Sequence, residues 1–143
     1  MNDRRSAHRT QWAAQFAVAS ELCKRNYQVA LTLGNHPAID LMVVSPSGKA
    51  LLIDVKGLHK PTFWGVREQR PHENLFYVFA YVPDEGSNRF FIASQEQVNK
   101  GIMAYRSAGI ARGRDAEKVK LFPGVPWKFV LQYEKNAWDR LPK

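Results

Sequence analysis

One cysteine, Cys23, stands among the 143 residues, so no disulfide can close within the chain and no zinc site built on paired cysteines can form. A lone thiol also suits a reducing compartment. Apolar residues nowhere approach the run of roughly 20 that a membrane helix requires. The leading stretch MNDRRSAHRT is charged and has no signal-peptide-like apolar run behind it, which sets the expectation of a cytoplasmic protein without a membrane partner. Internal repeats, low-complexity tracts and a glycine-rich phosphate loop are all missing, and Ser45 and Ser47 lie in no nucleophile elbow. Acidic residues are scarce as well, 13 against 21 lysines and arginines, for a net charge of +8. A basic field of that size favours a polyanionic partner, nucleic acid above all.

What is present suffices for one domain over residues 1–143, since 45% of the chain is hydrophobic. Between Ser6 and Arg25, the residues Trp12, Gln15, Phe16, Ala19, Leu22 and Cys23 fall at helical spacing and predict an amphipathic helix ending at Asn26. Gln15 is the polar member of that stripe and is expected to face the interior, whereas Glu21 falls on the side toward water. Three strands should follow, 27–33, 38–45 and 49–56, with Pro46-Ser47-Gly48 as the turn between the last two. After a basic loop over 57–73, the nearly continuous apolar segment 74–82 predicts a strand buried on both faces, paired with 89–94. Ser94 and Gln97 have capping-box spacing and should open a helix over about 95–105. The segment 106–120 is expected as a solvated surface run. The C-terminal part is expected as an extended piece and then a short helix near 134–140, anchored by Trp127 and Trp138.

The strands carry the chemistry. Residues two apart on a strand share a face, so Asp54 and Lys56 should project together. In a hairpin turning near Ser47 and Gly48, Asp40 comes opposite Asp54. Two facing carboxylates repel unless a cation lies between them, and an oxygen-ligand ion, magnesium or in its place manganese, meets that need. Lys56 beside it can orient a water or offset charge on a phosphate. Gln15 could add an amide oxygen from the first helix.

The order of helix, strand, aspartate at a strand start, then D-x-K on the next strand resembles the PD-(D/E)XK nucleases, the restriction-endonuclease-like superfamily that includes Holliday-junction resolvases. The matching residues are Ala38-Ile39-Asp40 and Asp54-Val55-Lys56. "FAVASELCKRNYQV" is similar to the family's helix-into-strand opening, and "DVKG" followed by "LFYVFAYV" to its core continuation. The likeness spans roughly residues 10–105, leaving 106–143 as an extension. Two departures stand out: Pro37 is three residues before Asp40, and Gln15 occupies the helix position where the family usually has glutamate.

This resemblance implies an α/β fold with a central mixed sheet of about five strands flanked by helices, in the order αβββ and then ββα. It also implies a metal-dependent nuclease. Asp40 and Asp54 would hold magnesium together with the Val55 carbonyl, Lys56 would assist the attacking water, and Gln15 would support them. The substrate would be DNA ahead of RNA, and a homodimer is compatible with the aromatic C-terminal segment. The alternative keeps the fold without catalysis, as a module that binds nucleic acid or a protein partner.

Lys60, Trp64, Arg67 and Arg70 in the 57–73 loop suit phosphate contacts and base stacking, although Trp64 could equally pack beneath the loop as a lid. His36 stands close before Asp40 and could help hold a phosphate. With His59 and His72 it shows no regular ligand spacing for zinc. Further basic residues gather at Arg4, Arg5 and Arg9, and at Arg106, Arg112, Arg114, Lys118 and Lys120.

Overall fold

The computed structural model describes residues 5–143; Arg4 of the N-terminal basic group lies outside them. Helix α1 (Ala7–Lys24) starts where the Ser6 side chain accepts a hydrogen bond from the Arg9 N–H, and it stops before Asn26, which sits at φ 66°. Asn tolerates that left-handed conformation better than most residues.

Five strands then build a mixed sheet in the order β1-β2-β3-β5-β6. They are β1 (Gln28–Leu31), β2 (Leu41–Val44), β3 (Ala50–Leu58), β5 (Leu75–Tyr81) and β6 (Arg89–Ser94). The pairs β1–β2, β2–β3 and β5–β6 are antiparallel, whereas β3–β5 is parallel. The expected mixed five-stranded sheet flanked by helices is therefore present. Its strand β5 is buried on both faces, as its uninterrupted apolar run requires.

The helix phase differs from expectation. The buried residues of α1 are Thr10, Ala14, Gln15, Val18 and Leu22, while Phe16 is 56% exposed and Cys23 is also exposed. Trp12 stacks on Phe16 with ring centroids 5.6 Å apart. Close approach to β3 explains the difference: a Cβ added at Gly57 would lie 2.7 Å from the Cβ of Ala14. Only small side chains fit such a seam, so the large aromatics are turned to its flank.

Two other expectations are corrected. The helix opened by Ser94, with its capping box formed, runs on to Ala111 as α2 (Gln95–Ala111). The run after it lies at the surface as expected, mostly exposed, and much of it is helical, because α3 (Ala116–Leu121) begins at the Asp115 cap. The basic loop also hides a strand, β4 (Phe63–Gly65), which pairs with β7 (Gly124–Pro126) as a second small sheet. Beyond β7 the chain forms a short helix α4 (Trp127–Val130) and two 3-10 turns, Leu131–Tyr133 and Ala137–Arg140.

Two apolar cores result. Ala14, Val18 and Leu22 of α1 meet Ile53, Val55, Val78 and Ala80 on one face of the sheet. Tyr77, Phe79 and Phe91 on the other face are covered by Trp64, Val98, Ile102 and Val125. Trp138 packs against the first core and Trp127 against the second, so both tryptophans anchor the C-terminal segment as expected.

Candidate functional site

The site lies where β3 outruns β2. Leu41 pairs with Ile53, and the Asp40 N–H donates to the Ile53 carbonyl at 2.9 Å, so the hairpin register brings Asp40 opposite Asp54. Beyond Asp40 no strand among the described residues satisfies the outer edge of β3, and side chains do it instead. The Asp40 carboxylate accepts from the Val55 N–H at 2.7 Å through Oδ2. Gln11 completes the edge: its Nε2 donates to the Val55 carbonyl at 2.7 Å, and its Oε1 accepts from the Gly57 N–H at 3.2 Å. Open strand edges are costly when buried without partners, so this substitution by one carboxylate and one amide lets β3 extend into the site.

Gln15, one turn after Gln11, donates from Nε2 to Asp40 Oδ1 at 3.2 Å. It thus faces inward as the sequence implied, with its amide nitrogen on the carboxylate. Asp54 is 2% exposed, and its Oδ1 lies 3.1 Å from the Lys56 ammonium. Burial pushes the Asp54 carboxyl up to about 6; the Lys56 charge resists the shift and the Asp40 charge adds to it. Asp40 is also raised by burial, opposed by the Val55 N–H and Lys56. These are the shifts expected when two carboxylates share a poorly solvated corner. Beside Asp54 on β5, its register partner Tyr77 is fully buried, with a hydroxyl that has no hydrogen-bond partner among the described residues. Burial, and then the Asp54 charge, raise the Tyr77 phenol.

Asp54 and Lys56 line a cleft of about 500 Å³ whose walls include Pro37, Phe63, Arg67 and Phe122. Asp40, Asp54, Lys56, Gln15 and the Val55 main chain therefore converge from α1, the start of β2 and the middle of β3. The other expected contacts divide. Arg67 joins the cleft, while Lys60, Arg70 and His36 are exposed and do not line it, the last with Nδ1 accepting from the Ala38 N–H. Trp64 does not present its ring for stacking. It is 1% exposed, lies parallel to Trp127 at 5.7 Å and meets Phe79 edge-on at 5.1 Å. The β4–β7 pairing turns it inward as the lid of the second core.

Gln11, Tyr77 and Phe122 escaped the sequence reading. Gln11 had a signal, since it lies four residues before Gln15 and a second amide on the same helical face implies a shared task. Tyr77 had none, because its position depends on the parallel register of β3 and β5.

Among the described residues, no group of three or more His, Cys, Asp or Glu is placed to hold a metal ion. A hard cation that keeps several waters does not demand so many, and one or two carboxylates with a carbonyl can serve. Asp40, Asp54 and the Val55 carbonyl form such an all-oxygen set. Each has an acceptor site left beside its present hydrogen bonds, and a cation there would offset the burial that raises both carboxyls and the Asp40 charge that adds to the shift of Asp54.

No protein-family model matches the chain, and no curated protein matches it. Among solved structures it is similar to a bacterial homing endonuclease, at 21% identity with a TM-score of 0.49, over 65% of this chain and 68% of that one.

Proposed function

We propose that the protein is a metal-dependent nuclease that hydrolyses phosphodiester bonds, with DNA as its substrate ahead of RNA. The observation that carries this reading is the buried Asp54, opposite Asp40 and 3.1 Å from Lys56, at a cleft with Arg67 on its wall. Structural ion pairs seldom bury a carboxylate beside a second one, and a perturbed carboxyl in a cleft is what functional sites often contain. The sequence resemblance to PD-(D/E)XK nucleases falls on these same residues, Asp40, Asp54 and Lys56.

Asp40, Asp54 and the Val55 carbonyl would hold magnesium, or manganese in its place, which when bound polarises a phosphoryl oxygen and makes water more acidic. The remaining work falls to the chain itself. Arg67 and Lys60 attract the strand by phosphate pairing. Lys56 holds its ammonium beside the scissile group, where it can orient the attacking water and offset developing negative charge. Gln15 keeps Asp40 turned toward the site, and Gln11 keeps β3 straight through Val55 and Gly57.

A second reading has one observation in its favour. Gln15 brings an amide, not a charge, to Asp40, and Asp54 already has Lys56 as its counter-ion. In that reading the protein binds nucleic acid or a protein partner without cutting.

Cleavage of labelled duplex, single-stranded and branched DNA, and of RNA, in magnesium, manganese or EDTA separates the two. The nuclease reading expects metal-dependent cutting that Asp54→Ala and Lys56→Ala both abolish. Salt-sensitive binding retained in both variants, with no cutting of any substrate, selects the binding module.

A further inference from the structure

The cleft over Asp54 and Lys56 does not end at Phe122. Phe63 and Phe122 are shared with a neighbouring pocket of about 480 Å³, which Tyr105, Arg114, Lys118 and Val119 also line. The two hollows thus lie on either side of the same pair of aromatic rings.

The pocket combines exposed aromatic surface with cations. Phe122 is 76% exposed and its neighbour Leu121 66%, a local concentration of apolar surface that usually marks a binding site. Phe63 and Tyr105 stand 5.6 Å apart with their planes tilted by 46°. The Arg114 guanidinium lies 5.8 Å from the Tyr105 ring centre, and its Nη1 donates to the Tyr105 hydroxyl at 3.1 Å. That bond uses only one of the guanidinium donors. Lys118 and Arg114 are exposed, as is Asp115, whose carboxylate caps α3 by accepting from the Glu117 and Lys118 N–H groups. Arg67 and Lys56 stand on the cleft side of the same rings.

We propose that this pocket receives an unpaired base of a nucleic acid strand. Phe122 and the Phe63–Tyr105 pair supply stacking surfaces, and Arg114 and Lys118 meet the flanking phosphates. Cations on both sides of an aromatic wall suit a strand whose phosphates continue past an inserted base. A blunt duplex keeps its bases stacked inside and can offer the pocket only its backbone. A purely apolar peptide has no use for the cations. The substrate class of the adjoining cleft is then a single strand, flap or bulge. This assignment of substrate rests on the nuclease reading, whereas base binding itself does not.

The test uses the full chain in EDTA, with fluorescein-labelled probes of one length: a single strand, a blunt duplex, and a strand carrying abasic sites in place of its bases. Because the Phe122 side chain is largely in solvent, Phe122→Ala should keep the melting temperature. Stacking is worth enough that this variant should bind the single strand about tenfold more weakly. Its affinities for the duplex and the abasic strand should stay within about twofold of wild type. Equal weakening on all three probes, or none on any, overturns the proposal, as does tighter binding of a labelled acidic peptide than of the single strand. Adding magnesium to the same strands separates the two readings. Phe122-dependent strand binding without cutting retains the pocket and removes the nuclease; cutting with strand affinity indifferent to Phe122→Ala does the reverse.

Discussion

Asp40 accepts a 2.7 Å hydrogen bond from the main-chain N–H of Val55, two carboxylate-bearing segments meeting across the end of a hairpin. The bond ties the position of one acidic group to the backbone between the other, Asp54, and Lys56. A shift of β3 along β2 would therefore dismantle the edge pairing and the acidic corner together.

The Asp54 carboxyl is the first place where this arrangement can be measured. Its pKa in the fold, about 6, lies above the ordinary value of 3.8. The folded state therefore holds the proton more tightly than the unfolded chain. The stability contributed by that proton is complete below about pH 4 and lost as pH rises through about 6. In EDTA the wild type should be less stable at pH 8 than at pH 5 by roughly 1.4 kcal/mol from this group, since at pH 5 only part of the proton's contribution is still present. Asp54→Asn should flatten that dependence and raise the melting temperature at pH 8, as followed by circular dichroism. An unchanged pH profile would remove the carboxylate conflict from the account.

Gln15 offers the converse experiment. Its amide nitrogen is 3.2 Å from Asp40 Oδ1, so Gln15→Glu places a third negative charge at the corner. Without metal the variant should melt lower than wild type at pH 8, since like charges at that range repel. With magnesium it should gain more in melting temperature than wild type does, because an ion that binds only the native state stabilises it by mass action. Thermal shifts across a magnesium titration read both effects. Equal shifts in the two proteins would place the ion elsewhere.

Gln11 carries a structural prediction independent of metal. Gln11→Ala frees the Val55 carbonyl and the Gly57 N–H at a partly buried edge. Leaving such groups unpaired costs about 1–3 kcal/mol, to be read from urea unfolding. Amide exchange should also quicken at Gly57. A loss confined to a few tenths of a kcal/mol would mean that water replaces the glutamine.

Much of this was legible in the residues, for identifiable reasons. Asp40 and Asp54 could be paired because a short turn at Pro46-Ser47-Gly48 leaves a hairpin little freedom of register. Gln15 could be turned inward because one polar residue among apolar ones at helical spacing has few places to go. Trp12, Phe16 and Cys23 were set on the wrong flank of the helix, since hydrophobicity does not reveal that Gly57 would bring β3 against Ala14 and admit only small side chains. Trp64 read equally as a stacking ring or a lid, and the choice was made by Val125, its partner across β4 and β7 some sixty residues later in the chain.

The sequence by itself determined the elements that depend on neighbours a few residues apart: the caps at Ser6 and Ser94, the β2–β3 hairpin and its facing aspartates, the doubly buried β5, and the excess of positive charge. Tertiary structure alone decided the parallel seating of β5 beside β3, the edge completed by Gln11, the Tyr77 hydroxyl next to Asp54, and the aromatic wall that Phe63 and Phe122 share. Those contacts join residues whose separation along the chain carries no periodic signal, and they exist only once packing has chosen which surfaces meet.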